Sequence, residues 1–149
     1  MNYIALLNDI EKTISSWGDK LEPPITQEEL VRFKERVKYS YKLNLPDCYI
    51  NFIKKTNGFE FNGLIIFGSM NSEANDASLL DLIESNVFLR DSTIHLPDQT
   101  LVIGESSTGV LTFDGINNVY QYRDRIALVR VESYLSFDDM MTKELNKVI

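Results

Sequence analysis

Around Asn57-Gly58 the spacing of apolar residues changes, and this one change limits what the chain can become. Before it, apolar residues recur every three or four positions, the repeat of a helix face; after it, they gather in short runs separated by turn residues. Helices should therefore come first and a sheet second. Ile4, Leu7, Ile10, Ile14 and Trp17 line one side of a helix over 3–17. Thr26-Gln27-Glu28-Glu29 has the form in which a cap and the third residue after it satisfy each other's amides, and it opens a helix over 27–42 with Leu30, Phe33, Val37 and Tyr41 on its stripe. Pro46 suits a first helical turn, so a third helix is expected over 46–57, with Tyr49, Phe52, Ile53 and Thr56 inward and Asn57-Gly58 as a left-handed stop.

Beyond this point Asn62-Gly63 matches a two-residue hairpin turn with positive φ at both positions, followed by a strand over 64–67. Residues 69–77 read as polar loop. Ser78 with Asp81 resembles a helix start, and Leu79, Leu80, Ile83 and Val87 suit a short helix. Strand-like runs follow at 101–103, 110–113 and 119–122, with Asp114-Gly115 and Asn117-Asn118 as turn signals, and a meander is the simplest way to join them. A last strand is expected over 127–131, with Val129 and Val131 on one face, before Ser136 caps a helix over 137–147 through Asp139. The fold class is α+β: N-terminal helices, a mostly antiparallel sheet with one further helix, and a C-terminal helix, in one domain spanning residues 1–149.

The net charge of −7 comes from the middle of the chain. Residues 61–122 hold eight carboxylates and one cation, Arg90, whereas the flanking segments balance. Phosphate binding needs clustered Lys and Arg, so nucleic acid is excluded as the expected partner and a basic protein is favoured. Glu73, Asp76, Asp81, Glu84, Asp91 and Asp98 fall at positions expected to be exposed and are the candidate contact residues. Glu105 and Asp114 are set aside because turn geometry would occupy them. The start of the chain lacks the basic and apolar regions of a signal peptide, and no apolar stretch approaches the roughly 18 residues of a membrane span, so a cytoplasmic location without a membrane role is expected.

The residue types of catalytic chemistry occur singly or out of pattern. Gly104 to Gly109 has the glycine spacing of a phosphate loop, but Val110 and Leu111 stand where Lys and Ser/Thr are needed. With Ser106 as nucleophile, Thr108 replaces the second glycine of an esterase elbow. His95 is the sole histidine, with no ligand at helical spacing, and reads as a loop residue. Cys48, the sole cysteine, cannot form an internal disulfide; it reads as a packed structural residue without a base to activate it. Asp138-Asp139 reads as helix capping, and Phe61, Phe67, Phe113, Tyr120 and Tyr122 as core. No enzyme activity, metal or cofactor is expected.

The run from Leu45-Pro46 through Tyr49, Phe52 and Asn57-Gly58 to Asn62-Gly63 resembles the SUKH superfamily, the Smi/Knr-like proteins. Ile103-Gly104-Glu105 as a glycine turn, a strand from Gly109 ending in Asp114, and Ser136-Phe137 as a final helix start extend the resemblance, which looks nearest to the YrhA-like branch. It implies an α+β domain and a bacterial immunity protein that occludes a cognate secreted toxin, often a nuclease. The alternative it implies is a regulatory scaffold of the cell-wall-regulator type. It carries over no catalytic residues, and toxin-contact positions vary among such proteins.

Overall fold

In the computed structural model, which describes residues 2–69, 81–91, 96–97, 99–126 and 129–149, the change of apolar spacing is a change from helices to sheet. α1 (Tyr3–Ser16), α2 (Gln27–Tyr41) and α3 (Asp47–Ile53) precede β1 (Phe59–Phe61) and β2 (Leu64–Ile66). After α4 (Leu82–Asp91) come β3 (Thr100–Glu105), β4 (Gly109–Asp114), β5 (Val119–Asp124) and β6 (Arg130–Tyr134), and α5 (Phe137–Val148) closes the chain. The strands lie in sequence order in one six-stranded sheet, every neighbouring pair antiparallel, so the architecture is an α+β meander as expected.

Local chemistry explains most boundaries. Asn62 and Gly63 adopt φ of 48° and 86°, joining β1 to β2 by the expected tight turn. The Ser136 hydroxyl accepts the Asp139 N–H at 3.0 Å, capping α5. Thr26 likewise accepts the Glu29 N–H at 3.2 Å, but the reciprocal half of the expected cap is diverted: the Glu29 carboxylate accepts a 2.9 Å bond from the Ser69 hydroxyl.

α3 ends four residues before the expected stop, for a reason beyond its own sequence. The Ile53 carbonyl, which would bond Asn57 N–H in a continuing helix, accepts Ile25 N–H at 3.0 Å, and Asn57 N–H turns to the Pro23 carbonyl. The Asn57 side chain then holds Ser69 twice, accepting its N–H at 2.9 Å and donating to its hydroxyl at 2.8 Å. A Cβ on neighbouring Gly68 would fall 2.4 Å from Asn57 Oδ1, so only glycine fits there. Asn57, just past α3, is thus a clamp between the stretch before α2 and the stretch after β2, and the left-handed residue is Gly58 (φ 99°).

Two other expectations change. Gly104 forms no turn: it lies in β3 at a register shift, where a Cβ would meet the Ile65 carbonyl at 2.5 Å. β6 begins at Arg130, three residues later than expected, and both Val129 and Val131 are exposed; residues 127 and 128 lie outside the described residues.

The core is centred on Phe137, at the start of α5. Its ring lies 5.6 Å from Tyr3, 5.9 Å from Phe52, 5.7 Å from Tyr120 and 6.3 Å from Tyr49, all tilted or edge-on. α1, α3 and α5 are thereby joined to β5 through aromatic contacts, with Leu111, Met140, Met141 and Leu145 buried in the same cluster. Phe61, Phe67, Phe113 and Tyr120 are buried as expected, and Tyr122 is partly so.

Candidate functional site

The acidic segment is best described at α4. Asp81 precedes the helix, and its Oδ1 accepts the Ile83 N–H at 3.0 Å while Leu82 N–H bonds the Gly68 carbonyl at 2.8 Å. One turn on, Asn86 fixes the helix to the sheet: its Nδ2 donates to the Leu82 and Val102 carbonyls at 2.8 and 2.7 Å, and its Oδ1 accepts Val102 N–H at 2.8 Å. The side-chain amide thus pairs with β3 as a neighbouring strand would. With Leu82, Ile83 and Asn86 buried, helical geometry turns Glu84, Val87 and Phe88 outward. Val87 is 50% and Phe88 77% exposed, an apolar pair beside the exposed Glu84 carboxylate, which makes no ion pair among the described residues. Tyr41 steadies the same helix from α2, its hydroxyl reaching the Ile83 carbonyl at 3.3 Å.

Of the six acidic candidates, Glu84 is exposed on this face and Asp91 is the last residue of α4. Glu73, Asp76 and Asp98 lie outside the described residues, as does His95. Asp81 requires a correction: it is fully buried, because its carboxylate caps α4 instead of meeting solvent. Burial pushes its carboxyl above the ordinary range; the Ile83 and Glu84 amides and Arg36 act the other way, and Glu84 reinforces the rise. Its Oδ2 has no hydrogen-bond partner among the described residues.

The two carboxylates set aside are engaged. Asp114 receives Ile116 N–H, Asn117 N–H and Asn117 Nδ2 at 2.8, 3.1 and 2.9 Å. Partial burial alone would raise its pKa, but these bonds prevail and hold the carboxyl below the usual range. Glu105 pairs with Arg125 at 3.2 Å. Within the former glycine-loop candidate, Ser106 Oγ accepts the N–H groups of Thr108 and Gly109, which makes the segment the β3–β4 hairpin turn.

Cys48 is exposed, contrary to the packed position expected, because the inward side of the first turn of α3 is taken by Tyr49 and Ile50. It lines a cavity of about 420 Å³ between the Asn44–Asp47 stretch and the corner where β6 enters α5. Asp47, Asn118 and Tyr120 share that cavity, whereas Ser136 beside them is committed to capping. Among the described residues no group of three or more His, Cys, Asp or Glu could hold a metal ion, and no helix is long and apolar enough to cross a membrane.

Sequence reasoning counted Val87 among the apolar residues that suit a short helix, without placing it at the surface, and did not single out Phe88. It also placed Trp17 on the buried stripe of α1, yet Trp17 is 66% exposed and stacks on Phe61 with ring centroids 6.2 Å apart and planes 12° apart. Position 17 keeps the helical spacing but falls at the cap, after the last residue of α1, where the core has ended.

Comparison with protein families adds one finding. The profile described as SMI1-KNR4 cell-wall, of the SUKH group, matches residues 35–139, from α2 through the sheet to the first turn of α5. The match reaches the family and not the YrhA-like branch. No curated protein matches this chain.

Proposed function

The chain belongs to the SUKH superfamily, and from that premise we propose that it is an immunity protein that binds a cognate toxin and occludes its active site. The observation that carries this reading is the α4 surface. Val87 and Phe88 supply an apolar centre and Glu84 an acidic rim, on a helix hydrogen-bonded to β3 by Asn86, within the segment that accounts for the net charge. Interfaces draw affinity from a few desolvated aromatic anchors, and complementary charge around them speeds encounter by about ten- to a thousandfold. A basic toxin domain, such as a nuclease, fits both requirements. Neutralisation by binding asks for no catalytic group, in keeping with a reading as a non-enzyme acting in the cytoplasm where such a toxin would strike.

The test is co-expression of this chain with the toxin domain encoded beside its gene. Survival of cells that carry both, and death of cells that carry the toxin alone, supports the reading; equal death in both rejects it. The family description favours a second reading, a non-enzymatic regulatory scaffold of the cell-wall type. Deletion of the gene would then alter wall integrity in cells that hold no toxin gene.

A further inference from the structure

We propose that the pocket beside Trp17 receives an arginine side chain from a protein partner. Asp9 and Thr13, one turn apart on α1, and Trp17 at its C-cap border a cavity of about 250 Å³, closed on the other side by Phe61 and Val148. Two walls are joined in the free protein: Asn62 Nδ2 donates to the Val148 carbonyl at 2.8 Å, tying the β1–β2 hairpin tip to the end of α5. Small-molecule sites occupy about 300–1,000 Å³, so a cavity of this size suits a single long side chain better than a free metabolite.

Its chemistry selects a cation. Ile10 and Val148 offer aliphatic contact for a methylene stem, and the exposed Trp17 indole, backed by Phe61, offers a ring face that attracts positive charge. Asp9 stands exposed at the lip, in no ion pair among the described residues, and no residue lining the cavity is basic. Arginine fits better than lysine, because a planar, weakly hydrated guanidinium stacks on an indole face where a compact ammonium does not, and Asp9, about two turns away along the helix, supplies charge of the complementary sign. A leucine would fill the slot but shield Asp9 from water without replacing its hydrogen bonds.

Trp17 is the only tryptophan, so its emission reports this pocket alone. The full chain is titrated with the capped tripeptide Gly-Arg-Gly and with the same peptide carrying citrulline or leucine in place of arginine. The arginine peptide is expected to give a saturable emission change with a midpoint of roughly millimolar order. Asp9→Asn, a substitution at an exposed position, should weaken it about threefold, the scale of an exposed ion pair. Citrulline should lose most of the response. A saturable response as strong with leucine or citrulline as with arginine, no change with any peptide, or full affinity in Asp9→Asn would each overturn the proposal. None of these outcomes involves the toxin, so the immunity reading stands or falls separately.

Discussion

The helix that closes the chain and the helix between β2 and β3 meet the same sheet in different ways. α5 enters it through Phe137, whose ring touches four other aromatic rings and whose contacts are apolar and without direction. α4 meets it through Asn86, whose three hydrogen bonds to Leu82 and Val102 are directed and leave no slack. The sheet continues the contrast: alternation puts Phe113 and Tyr120 with Phe137, and turns Thr112, Gln121 and Arg123 to the other face, where Arg123 donates to Gln121 at 2.7 Å. Packing on the α5 side makes the domain stable. Directed bonds on the α4 side set the position of a helix whose outer surface is unusually apolar for an acidic segment.

The contrast can be broken most severely at Phe137. Phe137→Ala removes the ring shared by α1, α3, α5 and β5 and should cost about 3–5 kcal/mol in denaturant unfolding, enough to leave a marginal domain largely unfolded. Asn86→Ala should cost less, about 2–3 kcal/mol, because it strands the Val102 amide and carbonyl in a buried place. Its effect should also be local: hydrogen exchange should accelerate in α4 and β3 while α5 stays protected, and uniform acceleration would erase the distinction between the two sides.

Asp81 sharpens the comparison with a smaller effect of opposite sign. Its folded-state pKa lies above the unfolded one, so the native state favours the neutral carboxyl; the stability this gives is fully present below the unfolded pKa and is lost as pH rises through the folded one. Asp81→Asn keeps an oxygen for Ile83 N–H and removes the buried charge. The variant should melt about 3 °C higher at neutral pH and approach the parent as the solution is acidified. A lower melting temperature at neutral pH would show that attraction from Arg36 outweighs burial.

The elements legible in the sequence are those whose cause is local. Asn62-Gly63 could be read because positive φ at two successive residues is a property of those residues, and Ser136 because a hydroxyl caps its own helix. The helix stripes and the meander order follow from apolar spacing in the same way. What could not be read depends on distant partners. Asn57-Gly58 resembles a helix stop, but Ile25 takes the Ile53 carbonyl and Ser69 takes the Asn57 side chain, and neither is foreshadowed near position 57. Asp81 and Glu84 differ by three residues and carry the same charge, yet one is buried and the other exposed; the bridge of Asp81 to distant Gly68, ahead of α4, separates them. Composition located the acidic segment and could not tell which of its carboxylates reach the surface.

The most direct test of the account is binding kinetics between the purified chain and the toxin domain proposed as its partner, compared for the parent and for the double variant Glu84→Gln/Phe88→Ala. Both positions are exposed, so stability should shift by no more than about 0.5 kcal/mol and folding will not confound the result. Loss of an aromatic anchor should raise the dissociation rate and weaken affinity by about thirtyfold or more, while loss of the charge should slow association and flatten its dependence on salt. A double variant that binds and protects as well as the parent would contradict the assignment of α4 as the toxin-facing surface.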